Sequence, residues 1–137
     1  MSPMSSTLID SNVLIDLFDD GSEWQAWSDS MIAACRNRGP LIINPIILAE
    51  VSMGFDSYEA VDVHLHEDWV RREALPWATA FLAARTFLLY RDAGGERRSP
   101  LPDFYIGAHA AVAGHTLLTR DARRYRHYFP KLKVIAP

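Results

Sequence analysis

Short apolar runs alternate with stretches of helical spacing along this chain, and this alternation limits its fold more than any other feature. The apolar runs are Thr7–Ile9, Leu41–Ile43, Thr116–Leu118 and Val134–Ile135. They do not alternate polar with apolar residues, which is typical of strands that are buried on both faces. Strands that alternate with helices favour a mostly parallel sheet covered on both sides. The predicted fold class is therefore α/β, a three-layer α/β/α sandwich with a mostly parallel central sheet.

The stretches between the apolar runs have recognisable helix ends. Ser11 can cap a first helix, because a serine side chain accepts a hydrogen bond from the backbone of the first turn. Pro45 suits the start of a helix, and Gly114 suits the residue that follows one. The predicted helices are the one capped by Ser11, which carries Val13, Leu14, Leu17 and Phe18 at helical spacing, and residues 23–38, 45–55, 57–70, 78–91, 102–113 and 125–129.

Length and composition narrow the class of protein. A chain of 137 residues fits one domain, so residues 1–137 are predicted to form a single domain. Cys35 is the only cysteine, which excludes an internal disulfide and a zinc site built from several cysteines. The richest apolar stretch, residues 74–90, is too interrupted for a membrane span, and the N-terminus lacks the pattern of a secretory signal. We therefore expect a cytoplasmic location and no membrane association.

Four acidic residues stand out from the rest, and three of them lie where a parallel sheet gathers its ligands, near the carboxyl ends of the strands. They are Asp10, Glu50, Asp103 and Asp121. Each alone has a simpler interpretation, because an acid at a helix start can be a cap and an acid within a helix can be exposed. Asp10 and Glu50, however, stand among apolar neighbours, where an acid is costly to bury unless it is paired or binds a cation.

Carboxylates that converge repel one another, so a cluster of four is expected to bind a cation. Oxygen ligands without cysteine favour a hard divalent ion such as Mg²⁺ or Mn²⁺. Ions of this kind can activate water and stabilise charge on a phosphate during hydrolysis.

Several short motifs in this order resemble a known family, the PIN domain, and their length and spacing resemble the VapC-type toxins of toxin–antitoxin pairs. The resemblance covers about residues 8–134. The motifs are Ile9-Asp10-Ser11-Asn12-Val13-Leu14, Ala49-Glu50, Pro102-Asp103 with Ile106 and Ala108, and Leu117-Leu118-Thr119-Arg120-Asp121.

The resemblance implies a metal-dependent endoribonuclease that hydrolyses RNA phosphodiester bonds and leaves 5′-phosphate and 3′-hydroxyl ends. It assigns Asp10, Glu50, Asp103 and Asp121 as catalytic residues and as ligands of one or two Mg²⁺ or Mn²⁺ ions. Ser11, Asn12 and Thr119 match polar positions that support those ligands, Ser11 standing where the family often has threonine. A cognate antitoxin and a homodimer are further implications.

The RNA contacts and the biological role stay open at this stage. Arg98 and Arg120 lie nearest the acidic motifs and are expected to contact RNA phosphates, although surface arginines often serve solubility alone. The alternatives to a toxin are a housekeeping RNA-processing nuclease and a non-catalytic PIN-like module that binds RNA or protein. His109 and His115 are expected to be packing or surface residues.

Overall fold

The computed structural model describes residues 5–95 and 100–137, and these residues form five strands and seven helices. The strands are β1 (Thr7–Ile9), β2 (Leu41–Ile43), β3 (Arg71–Arg72), β4 (Thr116–Leu118) and β5 (Val134–Ile135). The helices are α1 (Ser11–Leu17), α2 (Gln25–Arg38), α3 (Pro45–Ser52), α4 (Tyr58–His64), α5 (Trp77–Asp92), α6 (Leu101–Ala113) and α7 (Arg123–Tyr128). None of these described helices is both long and apolar enough to cross a membrane.

The five strands form one parallel sheet in the order β3-β2-β1-β4-β5, which confirms the predicted α/β class. The chain moves from β1 through β2 to β3 in one direction across the sheet, and from β4 to β5 in the other. Because parallel crossovers are right-handed, the two directions place α1–α4 on one face and α5–α7 on the other. Most helix contacts agree with this arrangement, since α1 packs on α2 and α3 while α6 packs on α5 and α7. In addition, α3 and α6 contact each other from the two faces.

β1 and β4 are adjacent, and the chain leaves them toward opposite edges of the sheet. Ligands of α/β proteins bind at such a reversal, outside the carboxyl ends of the strands. The backbone N–H of Asp10 donates to the carbonyl of Leu118 over 2.9 Å, so the two strand ends are fixed to each other. This edge of the sheet is where Asp10, Thr119 and Asp121 lie.

Three helix predictions differ from the structure, and one difference is that the helix predicted over residues 45–55 ends at Ser52. The cap of α1 is Asp10 rather than Ser11, because the Asp10 side chain accepts the backbone N–H of Ser11. The helix predicted over residues 57–70 ends at His64, and the chain then extends into β3 beside β2. β3 gave no apolar signal because it is an edge strand made of two arginines, neither of them buried.

A close approach between α6 and the segment after α7 positions the last helix. Gly107 lies within α6, and a Cβ placed there would be 2.4 Å from the ring of Phe129. The missing side chain therefore lets Phe129 pack against the backbone of α6. This contact holds α7 beside the carboxyl edge of the sheet, where Arg124 and Tyr125 contribute to the site described below.

Candidate active site

The four predicted acids converge on one cavity at the carboxyl edge of the sheet. The cavity has a volume of about 200 Å³. It is lined by residues from β1, β4, α1, α3, α6 and α7 or the turns next to them, which are Asp10, Ser11, Asn12, Glu50, Asp103, Asp121, Arg124 and Tyr125. Elements that are far apart in sequence thus bring Asp10, Glu50, Asp103 and Asp121 together.

Asp10 is the most buried of the four acids, with 4% of its surface exposed. One carboxylate oxygen, Oδ1, accepts the N–H of Ser11 over 2.8 Å. The other, Oδ2, accepts the hydroxyl of Thr119 over 2.8 Å and the phenol of Tyr125 over 3.0 Å. These donors fix the direction of the carboxyl group.

Burial raises the pKa of Asp10 to about 6, although hydrogen bonds from Thr119 and Tyr125 favour its charged form. The nearby charge of Asp103 raises it further. Burial also raises the pKa of Tyr125, with the charges of Asp10 and Asp103 acting in the same direction. The phenol of Tyr125 therefore stays protonated and serves as a donor to Asp10.

Thr119 and Asn12 connect the ends of β1 and β4. The hydroxyl oxygen of Thr119 accepts the Asn12 amide over 3.3 Å and the N–H of Asp121 over 3.2 Å while it donates to Asp10. The Asn12 carbonyl accepts the N–H of Arg120 over 3.1 Å. Together these bonds hold the turn that carries Asp121 against the start of α1.

Glu50 is positioned from α3 through Ser11. The hydroxyl of Ser11 donates to Oε1 of Glu50 over 2.9 Å. Burial raises the pKa of Glu50, the Ser11 bond opposes the shift, and the charge of Asp103 adds to it. The structure thus places the hydroxyl of Ser11 beside Glu50.

Asp103 lies in the first turn of α6 and pairs with a basic residue of α7. Nη1 of Arg124 lies 2.5 Å from Oδ2 of Asp103. Burial raises the pKa of Asp103, the ion pair with Arg124 opposes this, and the charge of Asp121 raises it again. Arg124 thus offsets part of the repulsion among the acids.

The donor set fits a hard divalent cation. Asp10, Glu50 and Asp103 each have a raised pKa, to which a neighbouring acid contributes after burial. A cation removes this repulsion and replaces it with attraction. All the acidic donors are carboxylate oxygens, the ligand type that suits Mg²⁺ and Mn²⁺.

The sequence pattern does not predict the contacts of two cavity residues, Tyr125 and Arg124. Tyr125 reaches Asp10 across 115 positions of the chain, a separation that no local pattern encodes. Arg124 is one of several arginines near Asp121, and only its position on α7 directs it toward Asp103.

The structure describes the surroundings of only one of the two arginines expected to contact RNA, and the RNA contact of both stays a prediction. Nη1 of Arg120 lies 3.2 Å from Asp16, and its guanidinium lies over the ring of Trp24, 5.8 Å from the centroid. Arg120 is not among the residues that line the cavity. Arg98 lies outside the described residues.

A second group of potential metal ligands consists of Glu73, His109 and His115, whose ligand atoms lie within 4.8 Å of one another. The sequence left open whether these two histidines pack inside the protein or lie on its surface. Both are buried, so they are packed residues. Oε1 of Glu73 lies 3.0 Å from Nε2 of each histidine. Nδ1 of His115 faces the hydroxyl of Ser6.

The capping role of Asn44 fixes the proton on His109. Oδ1 of Asn44 accepts the N–H of Ile47 over 2.9 Å, so its amide nitrogen must face Nδ1 of His109, also at 2.9 Å. Nδ1 is then an acceptor, and the proton lies on Nε2, which donates to Glu73. A nitrogen that carries this proton has no lone pair for a metal, so the group is a hydrogen-bonded network.

Replacing Asp10 tests the cost of its buried charge. The folded pKa of about 6 lies above the ordinary 3.8, so wild-type stability falls as pH rises from about 4 through 6. In EDTA at pH 8, Asp10→Asn is expected to raise the free energy of unfolding by up to about 3 kcal/mol. Thermal melts at pH 8 and pH 4 measure this, and the gain should shrink at pH 4.

The control is Asp29→Asn, because Asp29 is an exposed acid on α2. A melting temperature of Asp10→Asn below that of the wild type at pH 8 would show that the Asp10 carboxylate stabilises the fold as a helix cap.

Replacing Glu73 tests the network assignment. Burial raises the pKa of Glu73, but the hydrogen bonds from His109 and His115 outweigh it and leave the pKa below the usual 4.5. The charged Glu73 carboxylate therefore stabilises the folded protein above about pH 4.5. This stabilisation is lost as the pH falls through the lowered pKa. Oε2 of Glu73 also lies 3.1 Å from Nε2 of His115, and Glu73→Gln replaces it with an N–H donor that cannot accept there, which should cost about 1–3 kcal/mol at pH 7. Chemical denaturation measures it.

The exposed Glu67→Gln is the matched control for that substitution. Zn²⁺ should change the melting temperatures of the wild type and of Glu73→Gln equally. A Zn²⁺-dependent rise in the wild type that Glu73→Gln abolishes would identify a metal site instead.

Comparison with known proteins places the chain in a family. Its fold is similar to that of VapBC2 from Rickettsia felis bound to a promoter DNA fragment, at 14% identity and a TM-score of 0.74, covering 96% of this chain and 98% of that one. It is also similar to VapBC-1 from nontypeable Haemophilus influenzae, at 16% identity and a TM-score of 0.72, covering 96% and 97%.

A third similar structure is VapC20 of Mycobacterium tuberculosis, described as a toxin that cleaves the sarcin-ricin loop, at 13% identity, a TM-score of 0.67 and coverage of 88% and 94%. A search of curated proteins finds no match. The sequence itself matches the PIN domain family over residues 7–130. Since that match spans most of the sequence and the fold agrees with it, the chain belongs to the PIN domain family.

Proposed function

We propose that this protein is a metal-dependent endoribonuclease and the toxin of a toxin–antitoxin pair. The observation that carries the proposal is the convergence of four carboxyl groups on one cavity at the reversal point of a parallel sheet. Membership of the PIN family, whose nucleases generally use divalent metal ions, supports the same chemistry. The solved relatives named above include toxins and toxin–antitoxin complexes, which supports the toxin role.

Asp10, Glu50, Asp103 and Asp121 would hold one or two Mg²⁺ or Mn²⁺ ions. Such ions supply a Lewis acid that polarises a phosphate oxygen and lowers the pKa of a bound water. The expected reaction is hydrolysis of an RNA phosphodiester that leaves 5′-phosphate and 3′-hydroxyl ends.

The chain's own residues prepare the site for this reaction. Thr119 and Tyr125 hold the Asp10 carboxylate in one direction, and Ser11 does the same for Glu50. Preorganised side chains of this kind avoid the cost of reorienting ligands during the reaction. Arg124 has guanidinium N–H groups in addition to the one that meets Asp103, and these can bind a phosphate oxygen.

An apolar groove beside the cavity supports the proposal of an antitoxin partner. The groove has a volume of about 580 Å³ and is lined mainly by Ile15, Phe18, Val51, Met53 and Phe55, with Glu50 at one side. Glu50 also lines the acidic cavity. A protein segment that packs in this groove would therefore reach the proposed active site, and could block RNA there.

An exposed apolar stripe on α5 supports the proposal of a homodimer. Trp77, Phe81 and Leu88 stand at helical spacing along α5, and Leu89 follows. Trp77 is 93% exposed and Phe81 69%. Large apolar side chains grouped on a surface in this way mark protein contacts, and a second copy of the chain is the proposed occupant.

Cleavage assays test the nuclease proposal. Purified protein is incubated with single-stranded and with structured RNA in Mn²⁺, in Mg²⁺ and in EDTA. We expect cleavage in at least one metal and none in EDTA. Asp121→Asn should reduce the rate by at least about 100-fold, because even partners of metal ligands typically contribute 10- to 100-fold.

Asp29→Asn serves again as the exposed-acid control and should cleave as the wild type does. End-group analysis of the products should find 5′-phosphate and 3′-hydroxyl ends. Cleavage that persists in EDTA or in Asp121→Asn would contradict the proposal. A folded protein that binds metal and cleaves no RNA would favour a non-catalytic module, while cleavage without growth arrest on expression would favour a housekeeping nuclease.

A further inference from the structure

A second groove, here called the α5–α7 groove, opens beside the acidic cavity. Its volume is about 680 Å³, within the range of roughly 300–1,000 Å³ that is usual for small-ligand sites. It is lined by Tyr90, Asp121, Arg123, Arg124, His127 and Tyr128. Aromatic rings and basic groups thus face one space. Four of the six residues have no role in the site described above; they are Tyr90, Arg123, His127 and Tyr128.

The α5–α7 groove is continuous with the acidic cavity. Asp121 and Arg124 line both spaces. A chain molecule bound across the acidic cavity would therefore extend into the groove. Since the proposed substrate is an RNA strand, its neighbouring nucleotide is the group that the groove would meet.

Tyr90 and Tyr128 are held in place by aromatic packing. The Tyr90 ring meets Phe104 edge to face with 5.5 Å between centroids, and Tyr128 meets Phe104 at 5.3 Å. The two tyrosines meet each other at 6.0 Å and 68°. Both remain partly exposed although Phe104 is buried. Rings that are fixed and still accessible form a platform on which a base can stack.

Two arginines against one acid, Asp121, line the groove, and this excess of positive charge suits a phosphate. Arg123 is exposed and has no ion pair or side-chain hydrogen bond within residues 5–95 and 100–137. The guanidinium of Arg124 lies over Tyr90, 5.9 Å from the ring centroid. The whole chain carries a net charge of −3, so a site for RNA needs local positive charge of this kind.

From these observations we propose that the α5–α7 groove binds one nucleotide of single-stranded RNA next to the scissile phosphate. Tyr128 stacks on its base, Tyr90, whose ring is tilted 68° from that of Tyr128, contacts the base at an edge, and Arg123 contacts its phosphate. Bases within a duplex are already stacked on one another, so the groove selects an unpaired nucleotide. The inference rests on the proposed ribonuclease function and specifies where that site holds its substrate.

Fluorescence anisotropy with labelled RNA tests the groove without hydrolysis. The probes are single-stranded oligoadenylate and oligouridylate of about eight nucleotides, within the usual site sizes for such binding, and the buffer contains EDTA. Arg123→Gln should weaken binding about fivefold or more and reduce the slope of log K against log salt by about 0.7, the value for one phosphate contact with a single strand.

Arg126→Gln is the matched control for the charge, because Arg126 is an exposed arginine on the same helix that does not line the groove. It should bind within about twofold of the wild type and keep the salt slope, since long-range charge effects are screened. Equal affinity and slope for Arg123→Gln and Arg126→Gln would overturn the proposal.

Tyr128→Leu and Tyr128→Phe separate stacking from packing. Leucine fills apolar space without an aromatic face, and should weaken binding at least about fivefold for both probes, because base stacking tolerates any sequence. Phenylalanine keeps the face and should retain the affinity. A duplex of the same length should compete poorly. Melting temperatures of all variants show whether they are folded, and Arg123→Gln changes no packed residue.

The results that would refute this proposal differ from those that would refute the nuclease function. If the wild type cleaves RNA while Arg123→Gln and Tyr128→Leu bind as tightly as it does, the groove has another occupant, such as a protein, and the proposal is wrong. If the wild type binds neither probe, the proposal is also wrong, and the cleavage assay decides the nuclease independently.

Discussion

The buried carboxylate of Asp10 is the constraint on which the rest of the site depends. Asp10 follows β1 directly and caps α1. Its pKa of about 6 reflects the free-energy cost of a negative charge in that buried position. Three hydrogen bonds reduce this cost without removing it. Glu50 and Asp103 carry the same kind of penalty, so the cluster stores unfavourable electrostatic energy that a divalent cation would release.

The topology explains why these acids meet. β1 and β4 pair directly, and the chain turns from them to opposite edges of the sheet, which opens a space at their carboxyl ends. The first turn of α6 brings Asp103 to that space, and the last turn of α3 brings Glu50. The side chains of Asn12 and Thr119 then lock the two strand ends together. Stability and ligand geometry thus depend on the same few bonds.

Much of this arrangement can be predicted from the sequence, because apolar runs and strand-end acids are local signals. β1, β2 and β4 have the expected bounds, and the four acids share one cavity. β3 could not be predicted, since an edge strand of two arginines has no apolar pattern. Contacts such as Tyr125 with Asp10, or Glu73 with His109 and His115, join distant parts of the chain and become visible only when the helices are packed. The roles of the site residues and the single-domain organisation stay predictions.

Isothermal titration of Mn²⁺ into the wild type and into Asp121→Asn at pH 7 tests the central claim most directly. The account predicts saturable binding by the wild type, a higher melting temperature when Mn²⁺ is bound, and much weaker binding by Asp121→Asn, because a ligand that binds only the folded state stabilises it. Absence of binding heat together with an unchanged melting temperature would contradict the claim that this acidic cavity is a cation site.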